Sequence, residues 1–249
     1  MKNIRLLAAL SLVGALSLTQ ANSALAKDED CWKKTGDVQI RVCTRIIESG
    51  RIFKRRISKK NLGIMLNNRG GAYNGQEEYD LALADLNRAI KLNPKYANAY
   101  YNRGNSHTEK GMYYAAIADY DKALELNPKH APSLINRGRV YNDKDQYDHA
   151  IVDFNKALEL NPEYALAYQN RAVAYYNKDQ HDRAIADYNK VIEFDPDNVV
   201  AYNNRGYSYQ MKGQKEKAIE SYLKALEIDH TYERAMTNLK ELGVKTGDA

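Results

Sequence analysis

Apolar and polar residues between positions 63 and 232 alternate with the period of a helix, and the pattern restarts at a fixed interval. In 113–126, apolar side chains at Ala116, Ile117, Tyr120, Ala123 and Leu124 share one face of a 3.6-residue helix. Asn127-Pro128 then stops it, because a residue before proline avoids the helical region. The tripeptide Asn-Arg-Gly occurs at 68–70, 102–104, 136–138 and 204–206, and Asn170-Arg171-Ala172 fills the missing place. Each step is 34 residues. Pro94, Pro128, Pro162 and Pro196 keep the same period, as do Ala82, Ala116, Ala150, Ala184 and Ala218. The chain thus carries five units, 63–96, 97–130, 131–164, 165–198 and 199–232. Within each, slots 1–14 predict a first helix and slots 17–30 a second. Turn-prone pairs divide them: Asn74-Gly75, Lys110-Gly111, Lys144-Asp145, Lys178-Asp179 and Lys212-Gly213. One unit cannot bury its apolar face alone, so the units must stack.

Sorting the first helix by its 100° step separates two faces. Slots 4, 8 and 11 form a packing face, as in Leu66, Gly70 and Tyr73 or Tyr100, Gly104 and His107. Slot 7, at its edge, is Arg69, Arg103, Arg137, Arg171 and Arg205. Slot 23 is Asp85, Asp119, Asp153 and Asp187, then Ser221. An arginine beside a packing face needs a partner, so Arg–Asp pairs between first and second helices are expected; the alternative is recruitment of an acidic ligand. On the opposite face, slot 6 is Asn68, Asn102, Asn136, Asn170 and Asn204. A carboxamide donates and accepts at once, so this column suits the N–H and C=O groups of an extended peptide. The other reading is asparagine inherited by repeat duplication, bonding neighbouring helices or water. Slots beside it carry Asn105 and Arg139 in units two and three, and Leu166, Val173, Val200, Tyr207 and Met211 in units four and five. Gly71 and Gly75 leave the first unit nearly featureless, so the face runs from polar to apolar.

The 34-residue period, the helix–turn–helix layout, the small residue at slot 8, Ala at slot 20 and Pro at slot 32 resemble the tetratricopeptide repeat (TPR) family of the exported bacterial type. The resemblance covers 63–232 and implies an all-α TPR α-solenoid. It implies that slot 6 lines a concave surface where an asparagine ladder grips ligand backbone. It implies a protein or peptide partner. The Lys and Arg with which TPR co-chaperones clamp a carboxylate are absent from slots 2 and 5.

The flanks complete the layout. Lys2 and Arg5, the apolar run 6–18 and Ala24-Leu25-Ala26 follow the signal-peptide pattern, with cleavage expected after Ala26. Thirteen residues are too few for a membrane anchor, which needs about 20. The expected location is periplasmic or secreted. Segment 27–62 is expected to be helical around 38–48, about nine residues out of phase with the repeats. Its two cysteines, Cys31 and Cys43, point to one disulfide in an oxidising compartment; free thiols or a two-cysteine metal site are the alternatives, and no nearby His completes a metal shell. Arg51, Lys54, Arg55, Arg56, Lys59 and Lys60 form a basic stretch, read as a solvated linker or short helix rather than a contact for lipid or an acidic partner. Segment 233–249 supplies a capping helix and tail. No strand pattern is visible.

Composition adds bounds. The chain of 249 residues is 44% hydrophobic and 28% charged, which is globular. Twenty Tyr against three Phe suit half-buried helix surfaces. A net charge of +5 is too small to argue for nucleic acid. No phosphate loop, nucleophile elbow or metal-ligand cluster appears, so no catalysis, cofactor, metal or small-molecule substrate is expected. The expected function is an adaptor or scaffold; a self-associating solenoid and a regulatory subunit of a cell-envelope enzyme are the alternatives.

Overall fold

A computed structural model describes Cys31, residues 35–52 and residues 55–244; the expected signal peptide lies outside the described residues. The chain divides into two compact units, 1–127 and 128–249.

Unit 1 opens with α1 (Gly36–Ser49), which packs on α2 (Lys59–Asn74). Cys31 and Cys43 form a disulfide with Cα atoms 4.9 Å apart. It lies in a small buried cluster with Ile46 and Met65, against which Val42, Ile47, Ile52 and Ile57 pack. The basic stretch corrects the expectation of linker or short helix. Its arginines lie in an antiparallel ribbon, β1 (Arg51–Ile52) with β2 (Arg55–Arg56), in register Arg51↔Arg56 and Ile52↔Arg55, and Lys59 and Lys60 begin α2. A four-residue apolar-basic run is too short to show strand alternation, so the sequence pattern missed it. Two helix pairs follow: α2 with α3 (Tyr79–Leu92), and α4 (Ala97–Glu109) with α5 (Tyr113–Leu126).

Unit 2 continues the alternation: α6 (Ala131–Asp143) with α7 (Tyr147–Leu160), α8 (Ala165–Asn177) with α9 (His181–Phe194), and α10 (Val199–Met211) with α11 (Lys215–Ile228). Then α12 (Glu233–Glu241) buries Ala235 and Leu239 against the last pair. Among the described residues no helix is long and apolar enough to cross a membrane.

Close approach within a pair is set by slot 8. A Cβ on Gly104 would stand 2.6 Å from the buried ring of Tyr120, and one on Gly138 would stand 2.6 Å from Phe154. Helix and ring therefore occupy the same space only because the side chain is absent. The turn between paired helices uses a left-handed residue at slot 15 in every unit: Glu77, Gly111, Asp145, Asp179 and Gly213. In the first unit Gly75 is right-handed instead, so Asn74-Gly75 ends the helix two residues before the turn residue itself.

The slot-7 arginines make the expected pairs. Arg69, Arg103, Arg137 and Arg171 each clasp the aspartate 16 residues on through two nitrogens, at 2.6 to 2.9 Å. The first pair holds the Arg69 guanidinium above its usual pKa, chiefly through the Asp85 hydrogen bond. Arg205 finds Ser221 in place of the aspartate, at 3.2 Å. The third guanidinium nitrogen reaches back one repeat: Arg103 donates to Asn87, Arg171 to Asn155 and Arg205 to Asn189. Arg69 has no preceding repeat and donates to Thr44 of α1 at 2.8 Å. Thr44 is nine residues ahead of the in-phase position. The helix α1 thus supplies the missing neighbour, and the ribbon takes up the offset. Slot-4 and slot-11 rings cover these cations. Arg171 lies over Tyr168 at 5.3 Å and Tyr175 at 5.7 Å, which explains part of the tyrosine excess. His107 replaces a ring and places Nδ1 3.0 Å from Asp119 Oδ2.

Candidate binding face

In unit 1 the slot-6 column forms one end of a carboxamide chain. Asn102 donates to Asn67 at 2.9 Å, and Asn67 donates to Asn68 at 3.3 Å. Asn68 donates to the backbone carbonyl of Cys31 at 3.3 Å, which Gln39 also reaches at 3.1 Å. The Asn102 carbonyl accepts from Asn74. Gln39, Asn67, Asn68 and Asn102 line a cleft of about 460 Å³ with Thr35, Gly36, Gly71, Ala72 and Gly75. The first unit is therefore not featureless. A Cβ on Gly71 would come 3.5 Å from the Asn102 amide, so the glycines set the cleft's depth. No ionisable side chain lines it. Asn105 accepts from Tyr120 at 2.8 Å, tying it to the second helix of its pair.

In unit 2, Asn136 is half-buried and Arg139 beside it is exposed. Asn170 donates to Leu166 of its own helix at 2.8 Å. Asn204 accepts from Asn203 at 3.1 Å and shares a hydrogen bond with Tyr188, whose phenol burial pushes upward. Asn238 of α12 donates to Asn203 at 3.0 Å. This copies the Asn102–Asn67 bond four repeats along: both join residues 35 apart. Asn238 is a sixth rung, 34 residues after Asn204. The period alone marks it, within the segment that the sequence assigns to the cap. Asn203, Asn204, Tyr207, Glu233, Arg234, Thr237, Asn238 and Glu241 line a cleft of about 410 Å³.

Apolar side chains flank the rungs here. Leu166, Val200, Tyr207 and Met211 are 36–45% exposed, large enough areas to bury against a ligand, while Val173 is half-buried. Tyr207 stacks on Tyr176 with ring centroids 5.4 Å apart. Burial, and then the hydrogen bond with Tyr207, push the Tyr176 phenol up to about 12. His149 and His181 each stack on a tyrosine, and no cluster of three metal-ligating residues occurs among the described residues.

Three family models match. Two are described as tetratricopeptide repeat, at 97–130 and 199–232 and at 119–151; one is described as TPR repeat, at 70–111, 138–179 and 175–213. Together they span 70–232. The chain belongs to the tetratricopeptide repeat family. Its architecture is the all-α solenoid of that family, a protein-interaction scaffold that takes peptide or protein partners. Among solved structures it is similar to YrrB, described as a TPR protein with an unusual peptide-binding site, at 27% identity and a TM-score of 0.65. That match covers 81% of this chain and 99% of YrrB. It is similar to a MamA protein at 25% identity, TM-score 0.62, covering 70% and 95% of the two chains. MamA from Desulfovibrio magneticus RS-1, at 22% identity and TM-score 0.65, covers 71% and 98% and shares the fold. No curated relative matches the chain.

Proposed function

We propose that this protein is an exported adaptor that binds an extended polypeptide along its slot-6 asparagines. The observation that carries this reading is the set of exposed apolar side chains beside the unit-2 rungs, Leu166, Val200, Tyr207 and Met211. They offer the burial that gives a peptide its affinity, and the carboxamides offer backbone hydrogen bonds without reading sequence. Each carboxamide has two N–H donors and two acceptor sites, so the internal bonds leave capacity for a ligand. Asn68 already holds a backbone carbonyl, that of Cys31, in the manner proposed for ligand. The similarity to a structure described as having a peptide-binding site supports the same reading. Export is supported by the Cys31–Cys43 disulfide, which persists in oxidising compartments.

Ligand residues with apolar side chains dock on unit 2, and small uncharged ones suit the unit-1 cleft. The test is titration of the purified chain with fluorescent peptides from a random heptamer library. Leu166→Asp with Met211→Asp should weaken the tightest peptide at least about tenfold, or about 1.4 kcal/mol. Both side chains are exposed, so circular dichroism should not change. Unaltered affinity contradicts the reading.

A further inference from the structure

Positive charge in this chain is concentrated where no repeat lies. Residues 35–62 hold eight Lys or Arg against two acidic residues, a net of +6, while the whole chain carries +5. The remainder is therefore nearly neutral, at −1. The excess gathers on the ribbon and the start of α2. Side chains alternate across a strand, so the cross-strand partners Arg51 and Arg56 share one face. Like charges directly opposite each other are destabilising. Ile52 and Ile57 pack on the disulfide cluster, which fastens the ribbon to unit 1. Arg51, Arg55, Arg56, Lys59 and Lys60 are all exposed. The two lysines open α2, whose first turn has no acidic residue, although cations are disfavoured at that end of a helix dipole. Among the described residues no carboxylate pairs with any of the five. Glu48, close in sequence, acts on Arg69 instead.

Two arrangements that cost stability in isolation thus stand side by side, and an external anionic surface relieves both. We propose that the ribbon and the first turn of α2 dock unit 1 onto anionic phospholipid. Five cations within ten residues match the polybasic density that binds such surfaces, where each cation contributes a factor of about five. A protein partner would need a buried, apolar centre to its interface; the amide-lined cleft of unit 1 includes none of these five residues. This proposal does not rest on the peptide-binding reading.

Flotation of the full chain with phosphatidylcholine vesicles, with and without phosphatidylglycerol, tests it. Binding should require phosphatidylglycerol and vanish at 1 M salt, where the screening length falls to about 3 Å. R51Q/R55Q/R56Q should weaken it roughly a hundredfold. Binding through the apolar run at 6–18 is common to parent and variant and insensitive to salt, so it does not imitate the result. If the ribbon variant fails to fold by its melting curve, K59Q/K60Q takes its place with an expected loss of about twentyfold. Equal binding to both vesicle types, or equal binding by parent and folded variant, overturns the proposal. Indifference to anionic vesicles with salt-sensitive binding to polyglutamate overturns it in favour of an acidic protein partner.

Discussion

The first rungs in unit 1 and the last rungs in unit 2 use the same bond in different surroundings. Asn102 donates to Asn67, and Asn238 donates to Asn203. Around the first bond stand glycines and carboxamides; around the second stand Tyr207, Arg234 and two glutamates. The bonding frame repeats because every first helix must meet its neighbours in the same way. Several slots beside the rungs, Leu166, Val200 and Met211 among them, hold exposed side chains that the frame does not constrain. A shared frame and a varied lining predict different consequences for mutation, and that contrast can be measured.

The largest effects should fall on the frame and be equal in both units. Asp85→Ala and Asp153→Ala each leave a largely buried arginine without its carboxylate. Each should cost about 3–5 kcal/mol in urea unfolding. A cost well under 1 kcal/mol in either unit would break the idea of a common frame. The next effect tests close packing. Gly104→Ala drives a Cβ into the Tyr120 ring and should cost about 1–3 kcal/mol. The fourth repeat already carries Ala172 in the same buried cluster as Tyr188, whose hydroxyl shares a hydrogen bond with Asn204. The smallest effect distinguishes two helix caps at the same slot. His130 accepts from the Ser133 amide, and Asn198 accepts from the Ala201 amide. Burial holds the His130 imidazole below its usual value. The folded chain therefore binds fewer protons than the unfolded chain, and this contribution is complete above about pH 6.5. It is lost as pH falls through the lowered folded value, to the extent of about 1 kcal/mol for a cap. His130→Asn should flatten that slope in thermal melts, because an asparagine cap does not titrate.

Much of this was legible in the period of the sequence. Arg69 and Asp85 recur in register, so their pairing could be read as a column, and the helix pairs follow from the same count. What the period does not cover was missed. The ribbon at 51–56 lies outside the repeats and is too short to alternate visibly. Glu77 adopts a left-handed conformation with no glycine to announce it. The cleft beside Gly71 and Gly75 comes from the helix α1 closing over them, and small residues on a face signal a hollow only once a wall is known. Asn238 is legible from the 34-residue step, but it stands outside the five full units, where the proline and alanine columns no longer mark a repeat.

The central claim is that the asparagine face of the first helices, and not the outer surface of the second helices, receives the ligand. Photocrosslinking tests it most directly, with a photoreactive residue in place of Met211 on α10 or of Val152 on α7, both exposed. The tightest library peptide should be captured at 211, and excess unlabelled peptide should abolish capture. Capture at 152 with none at 211 would contradict it.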